Sequence, residues 1–223
     1  MIIGNGLLAK SFKRHEKSFK NTIIFASGLA NSKNINKKEF KREENLLKKF
    51  LNIKKEKLIY FSTLDIFRKK KTAYIRHKLN IEKVLKKKEN ILIIRLPQLI
   101  GKSKNKYTIF NFLNFNLRIN KKIKIFVNYY RNFIDVQDLI FYVKKLTKKT
   151  INFKVINIYN KKSIKISYLL NTFKKEGVIK NKIFTIDKTN DNFFKRMSKF
   201  CKDENIVINK KNYYENLFKK YIK

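Results

Sequence analysis

Acidic residues are scarce in this chain of 223 residues. Sixteen Asp and Glu face 56 Lys and Arg, a formal charge of +40. Cysteine is nearly absent too. Cys201 stands alone, so no disulfide can close within the chain, which suits a reducing cytoplasm. With only two distant histidines, His15 and His77, beside it, no metal-ligand spacing exists. The chain has no tryptophan, one proline and five glycines. No apolar run approaches bilayer length, because the longest, Ile91 to Ile100, is broken by Arg95 and Pro97. A first strand that opens at Met1 leaves no signal peptide ahead of it. The expectation is a soluble, cytoplasmic protein with no membrane partner. Internal repeats and long linkers are also lacking.

Hydrophobic residues make up 43% of the chain and aromatics 14%, enough to build one packed domain with a small appended lobe and to exclude disorder. The positive excess is almost all lysine. Arginine, whose planar fork is the better tool for phosphates and base edges, occurs eight times. Lysine, asparagine, isoleucine and phenylalanine are inflated together, as an AT-rich genome would produce, and the lysines form no single stripe. A solvated, drifted surface is therefore preferred to a nucleic-acid face, although drift does not explain the shortage of acids. Such a field attracts anions such as nucleotides and nucleotide sugars.

Apolar runs alternate with segments of helical period, the pattern of an α/β sheet. The expected strands are Met1–Ile3, Thr22–Ala26, Leu58–Ser62, Ile91–Leu96, Ile123–Val127 and Lys154–Ile158. The expected helices are Leu7–Phe19, Lys38–Phe50, Thr72–Lys88 and Val136–Leu146. Wholly apolar strands such as Ile91-Leu92-Ile93-Ile94 point to a parallel sheet covered on both faces. Gly101–Lys122 reads as a loop and helix excursion. A small C-terminal lobe is expected to hold a helix at Lys165–Lys175, a strand at Lys182–Ile186 and a closing helix at Asn212–Ile222. The division is a Rossmann-like domain over 1–158 and a substrate lobe over 159–223.

The turn Gly4-Asn5-Gly6-Leu7-Leu8-Ala9 follows a short apolar strand and opens a helix. In that context Gly4 permits the tight turn, Gly6 lets backbone approach a pyrophosphate, and Ala9 lets helix pack on strand. The helix start offers free N–H groups to the anion. A glycine turn without a ligand is the plain alternative. The acid that usually holds the adenosine ribose, roughly 20 residues on, is missing, since none lies between Glu16 and Glu39. The strands beside the adenosine are missing as well, because the first helix leads straight to Thr22–Gly28.

The third strand ends at Thr63, and Tyr74 and Lys78 follow one turn apart on a helix, on a shared face. A cation beside a phenol favours the phenolate, so Lys78 is expected to lower the pKa of Tyr74 from about 10. A tyrosine tuned this way exchanges a proton with a substrate hydroxyl or carbonyl while hydride moves to or from a nicotinamide. Thr63 would bond the same oxygen. Tyr-x-x-x-Lys spacing alone is common by chance in a lysine-rich chain, and the order of the segments is what singles this one out.

Taken in order, Gly4–Ala9, Phe25-Ala26-Ser27-Gly28, Tyr60-Phe61-Ser62-Thr63, Tyr74 with Lys78, Arg95-Leu96-Pro97-Gln98-Leu99-Ile100-Gly101 and Phe133-Ile134-Asp135-Val136-Gln137-Asp138 resemble the NAD-dependent epimerase/dehydratase family of extended short-chain dehydrogenase/reductases. Asn157 and Ser163–Leu170 also look like a stretch of that family. The resemblance covers roughly residues 1–172. It implies a Rossmann-like, mostly parallel sheet shortened on the adenosine side. It implies NAD or NADP as cofactor, a nucleotide-sugar substrate and a homodimer as one assembly. Thr63, Tyr74 and Lys78 match the catalytic triad. Gly4, Asn5, Gly6, Leu7, Leu8 and Ala9 match the pyrophosphate turn, Ala26, Ser27 and Gly28 the strand end along the cofactor, and Pro97 the loop near the nicotinamide. The interval from Thr63 to Tyr74 is short for the family. The alternative is a non-catalytic module of this fold that binds polyanions or nucleic acid.

Arg131 is a candidate for a substrate phosphate or a plain surface charge. Asp135 and Asp138 are read as caps of the helix at Val136. His77 is expected to be a solvated helix residue and His15 a surface one. The aromatics of 107–133 are expected in the core, and the basic run Leu217–Lys223 in an amphipathic closing helix.

Overall fold

The computed structural model describes every residue except 30, 54, 149–153, 180–183 and 223. In chain order the elements are β1 (Ile2–Ile3), α1 (Leu7–Lys13), β2 (Thr22–Phe25), α2 (Lys37–Lys48), β3 (Lys57–Thr63), α3 (Ala73–Leu85), β4 (Ile91–Leu96), β5 (Gln98–Ile100), α4 (Ile109–Arg118), β6 (Ile123–Arg131), β7 (Phe133–Asp135), α5 (Val136–Thr147), β8 (Val155–Asn160), β9 (Ile164–Lys165), α6 (Ile166–Lys175), β10 (Phe184–Asp191), β11 (Glu204–Ile208) and α7 (Tyr213–Ile222). They divide into two compact units. The first holds Met1–Leu96, Val136–Ile158 and Lys202–Ile206, and the second Pro97–Asp135, Tyr159–Cys201 and Val207–Lys223. The units are thus interleaved in sequence, unlike a single division at residue 158. Residues 97–135 cluster with the C-terminal unit.

The first unit is built on a six-stranded sheet of order β1-β2-β3-β4-β8-β11, and the pairs from β1 to β8 are parallel. Residues of β2, β4 and β8 are buried along their whole length, as a sheet covered on both faces requires. On one face Ile23, Phe25, Leu58, Tyr60, Ile91 and Ile93 pack with Leu47 of α2 and Ile81 and Leu85 of α3. The other face carries α1 and α5, with the Phe12 ring 5.5 Å from that of Phe61. Among the described residues β1 has a strand partner on one side only, β2. The adenosine side of the sheet is therefore shortened, as expected.

Several helices begin where side chains cap them. Asn36 accepts from Lys38 N (2.9 Å) at α2, and Thr72 accepts from Ile75 N (3.3 Å) at α3. Glycine is scarce, and asparagine takes left-handed turn positions instead, at Asn21, Asn90, Asn120 and Asn212. Helix α1 is shorter than expected. It closes at Lys13 and gives way to a 3-10 turn over Glu16–Ser18.

The second unit holds a three-stranded sheet, β10-β6-β9, and the parallel pair β5 and β7. Strand β6 therefore lies outside the main sheet it was expected to join. Its alternation, Ile123 and Ile125 buried with Lys124 and Phe126 exposed, suits a strand covered on one face. The expected strand at 182–186 appears as β10, with 182 and 183 outside the described residues. Phe110, Phe133 and Phe218 form the aromatic core, while Tyr107, Phe112, Phe115 and Phe126 are exposed, contrary to expectation. Strands β5, β7 and β9 are too short for periodicity to reveal.

Candidate active site

Most of the candidate residues lie in the first unit, at the carboxyl ends of its parallel strands. This is the edge where such sheets take ligands. Gly4 ends β1 at φ +123°, and a Cβ there would lie 2.5 Å from the Ala26 carbonyl oxygen. Only glycine fits that position. Gly6 is different. It is exposed, it has ordinary extended backbone, and a Cβ on it would meet nothing within 4 Å. No side chain caps α1 at Gly6. Asn5 is exposed, Leu7 and Leu8 are half-buried, and Ala9 is wholly buried against the sheet. The turn thus has both the room and the backbone donors that a phosphate group needs. Ala26, Ser27 and Gly28 continue β2 directly beside it, with Ala26 N bonded to Ile3 O at 2.8 Å.

Thr63 and Tyr74 come together. The Thr63 hydroxyl lies close enough to the Tyr74 phenol to act on it, and both residues are 8% exposed. Thr63 is itself held, accepting from Asp65 N at 3.2 Å. Burial pushes the Tyr74 phenol well above its ordinary value, the Asp65 and Glu43 charges add to this, and the Thr63 hydroxyl opposes it. This reverses the expected effect of Lys78. The Lys78 ammonium is 2% exposed and is 2.8 Å from Glu43 Oε1 and 2.8 Å from the Tyr60 hydroxyl. It lies 5.9 Å from the centre of the Tyr74 ring. Its charge is spent on a carboxylate instead of a phenolate.

His77 is also corrected. It is buried, stacked on Phe40 at 4.6 Å, with Nε2 3.1 Å from Glu43 Oε2. Glu43 is the residue that sequence reasoning missed. A signal for it exists: Phe40, Glu43 and Leu47 lie on one stripe of α2, continued by Phe50 just past its end, and Glu43 is the acid within it. Four residues beyond Lys78, Glu82 is buried and bonded to Ser62 Oγ (2.6 Å) and Arg95 (2.7 Å), and Arg95 also pairs with Asp203. This network fastens α3 to β3 and β4.

Pro97 and Arg131 belong to the second unit. Arg131 pairs with Asp191 at 3.2 Å and lies over the Tyr129 ring. Asp135 anchors α7 there, accepting from Lys220 (2.7 Å) and Tyr221 (2.9 Å). No group of three metal-ligating side chains exists among the described residues, and none of their helices is long and apolar enough to cross a membrane.

A dinucleotide fits this chain unevenly. The glycine turn suits the pyrophosphate. No acid lies between Glu16 and Glu39 to take the ribose, and among the described residues no strand lies beyond β1 to carry the adenosine.

No protein-family model matches the sequence, and no curated protein matches it. Solved structures do match in shape. UDP-glucuronic acid 4-epimerase from Bacillus cereus, in complex with UDP-glucuronic acid and NAD, shares 18% identity at a TM-score of 0.67, covering 98% of this chain and 77% of that one. RMD from Pseudomonas aeruginosa, complexed with NADPH, shares 12% identity at 0.64, covering 99% and 94%. ADP-L-glycero-D-manno-heptose-6-epimerase from Helicobacter pylori shares 16% at 0.65, covering 96% and 74%. The chain has the Rossmann-like fold of the NAD-dependent epimerases and dehydratases. At these identities the likeness is one of fold.

Proposed function

We propose that this protein is an NAD(P)-dependent enzyme acting on a nucleotide sugar, as an epimerase, dehydratase or reductase. The observation that carries the reading is the buried, neighbouring Thr63–Tyr74 pair, set at the carboxyl edge of the same parallel sheet as an open glycine turn. Fold neighbours that hold NAD with UDP-glucuronic acid, or NADPH, support it. In this reading the turn from Gly4 to Ala9 takes the pyrophosphate, and Ala26–Gly28 lie along the cofactor. The nicotinamide supplies or accepts hydride when bound. Tyr74 exchanges the proton with the substrate oxygen, and Thr63 orients that oxygen.

Parallel titration with NADH and NADPH, followed by dihydronicotinamide fluorescence, tests the class and the cofactor together. Binding of either is expected, and Tyr74→Phe should abolish turnover while sparing that binding. An intact protein that binds neither at millimolar concentration overturns the proposal. The buried Lys78–Glu43 pair favours one rival, a non-catalytic module of the same fold. That rival predicts polyanion binding that falls steeply with salt and no turnover.

A further inference from the structure

The Glu43 carboxylate is wholly buried, and all its near partners are polar. Its Oε1 accepts from Tyr60 OH (2.7 Å) and Lys78 Nζ (2.8 Å), and its Oε2 accepts from Leu29 N (3.0 Å) and faces His77 Nε2 at 3.1 Å. The cluster is closed over by backbone. A Cβ on Gly28 would stand 2.9 Å from Lys78 Nζ and 3.1 Å from Glu43 Oε1. The cation of the Tyr74–Lys78 pair is therefore enclosed with a counter-ion from a different helix. Seen from Tyr74, an ammonium 2.8 Å from a carboxylate is nearly a neutral dipole.

We infer that Glu43 is a positioning residue that holds Lys78 away from ligand, cancels its charge and leaves Tyr74 as a protonated phenol in the resting site. The final consequence rests on the proposed function: the site is set to give a proton to a substrate oxygen, as a carbonyl accepting hydride from a dihydronicotinamide requires. There the C=O becomes CH–OH, with hydride going to carbon and the Tyr74 proton to oxygen. Every charged or titratable neighbour of Tyr74 enters the balance. These are Tyr60 from β3, Asp65 from the turn after it, Glu43 from α2, and Lys78 on its own helix, with the Thr63 hydroxyl opposing. Burial is the largest cause of the upward displacement of the Tyr74 phenol, and the Asp65 and Glu43 charges add to it.

The test is an ultraviolet titration of phenolate in the ligand-free protein, with the Tyr74→Phe counterpart of each variant subtracted to isolate Tyr74. In the native protein Tyr74 should titrate above the ordinary value of 10. In Glu43→Gln, Lys78 acts uncancelled, and about tenfold more Tyr74 phenolate should be present at a given alkaline pH. In Glu43→Gln/Lys78→Met, where both charges are gone, Tyr74 should return to its native titration. A native Tyr74 that titrates at or below 10, or a Glu43→Gln variant with unchanged titration, overturns the inference. Glu43→Gln leaves a buried ammonium without its partner, and should that variant not fold, the native protein and the double variant decide. A Tyr74 titration that rises in the double variant shows that Lys78 had been acting alone, and refutes the cancellation. None of these readouts needs a cofactor. Failure to bind NADH and NADPH would remove the proposed function and leave the role of Glu43 standing.

Discussion

Two glycines in one turn should respond to the same substitution in opposite ways. Gly4 has φ +123°, and a Cβ there would come within 2.5 Å of Ala26 O, 2.7 Å of Ala26 C and 2.9 Å of Ser27 N, all backbone atoms that cannot rotate away. Holding alanine in that conformation costs about 1–3 kcal/mol. Relieving the clash adds about 1–3 kcal/mol. Gly4→Ala should thus destabilise the protein by about 3 kcal/mol, lowering the melting temperature by about 6–12 °C. Gly6, with φ −78° and open space around it, should accept alanine for less than about 1 kcal/mol, since the poorer helix cap is offset by a less flexible unfolded chain. The added methyl group would nevertheless occupy the space where a phosphate approaches. Loss of one charge-assisted hydrogen bond, about 1.5–3 kcal/mol, corresponds to roughly 10–100-fold weaker dinucleotide binding. Thermal melts followed by circular dichroism and titrations with NADH and NADPH read the two effects separately. A Gly6→Ala protein that binds dinucleotide as tightly as the native one would refute the turn as phosphate cradle. A Gly4→Ala protein of native stability would refute the geometry.

Arg95→Met should cost about 3–5 kcal/mol by removing the buried cation closest to Glu82, and Arg95→Met/Glu82→Gln should recover most of it in chemical denaturation. Burial raises the Glu43 carboxyl, but the Lys78 charge and the hydrogen bonds from His77, Lys78 and Tyr60 outweigh it and hold the group far below its ordinary 4.5. Its contribution is therefore complete above pH 4.5 and is lost as pH falls, so acid unfolding curves should flatten in Glu43→Gln. Asn21, at φ 53°, should lose about 1 kcal/mol on replacement by alanine and nearly nothing on replacement by glycine, as equilibrium unfolding would show.

The parallel sheet was legible because its strands are short, apolar on both faces and separated by helical periods. The edge position of β1 followed from the short path between α1 and Thr22. The Thr63–Tyr74 contact could be read from a strand end and a helix start. Glu43 stands out in the sequence only as an acid in an apolar stripe; its partner could not be read, since that depends on α2 packing over α3, 35 residues away in sequence. The burial of His77 escaped for the same reason. One-dimensional spacing places Tyr74 and Lys78 on one face, but it does not say which neighbour claims the ammonium. Strand β11 was illegible because Glu204-Asn205 opens it with polar residues and most of it is exposed, so it lacks the apolar run that marks the other strands.

The two-residue strand β1 has a wider consequence. The turn that would receive a phosphate hangs from the strand at the sheet edge, secured by Ile24 N to Met1 O and Ala26 N to Ile3 O. Strands with so few ladder bonds open locally at a small fraction of the global unfolding energy. An anion bridging the turn and the end of β2 would bind the closed edge alone. Its binding energy would then appear as slowed amide hydrogen exchange at Ile24 and Ala26, with the interior amides of β3 and β4 unchanged. Affinity for ligand and the local order of the sheet margin are, in this chain, one equilibrium.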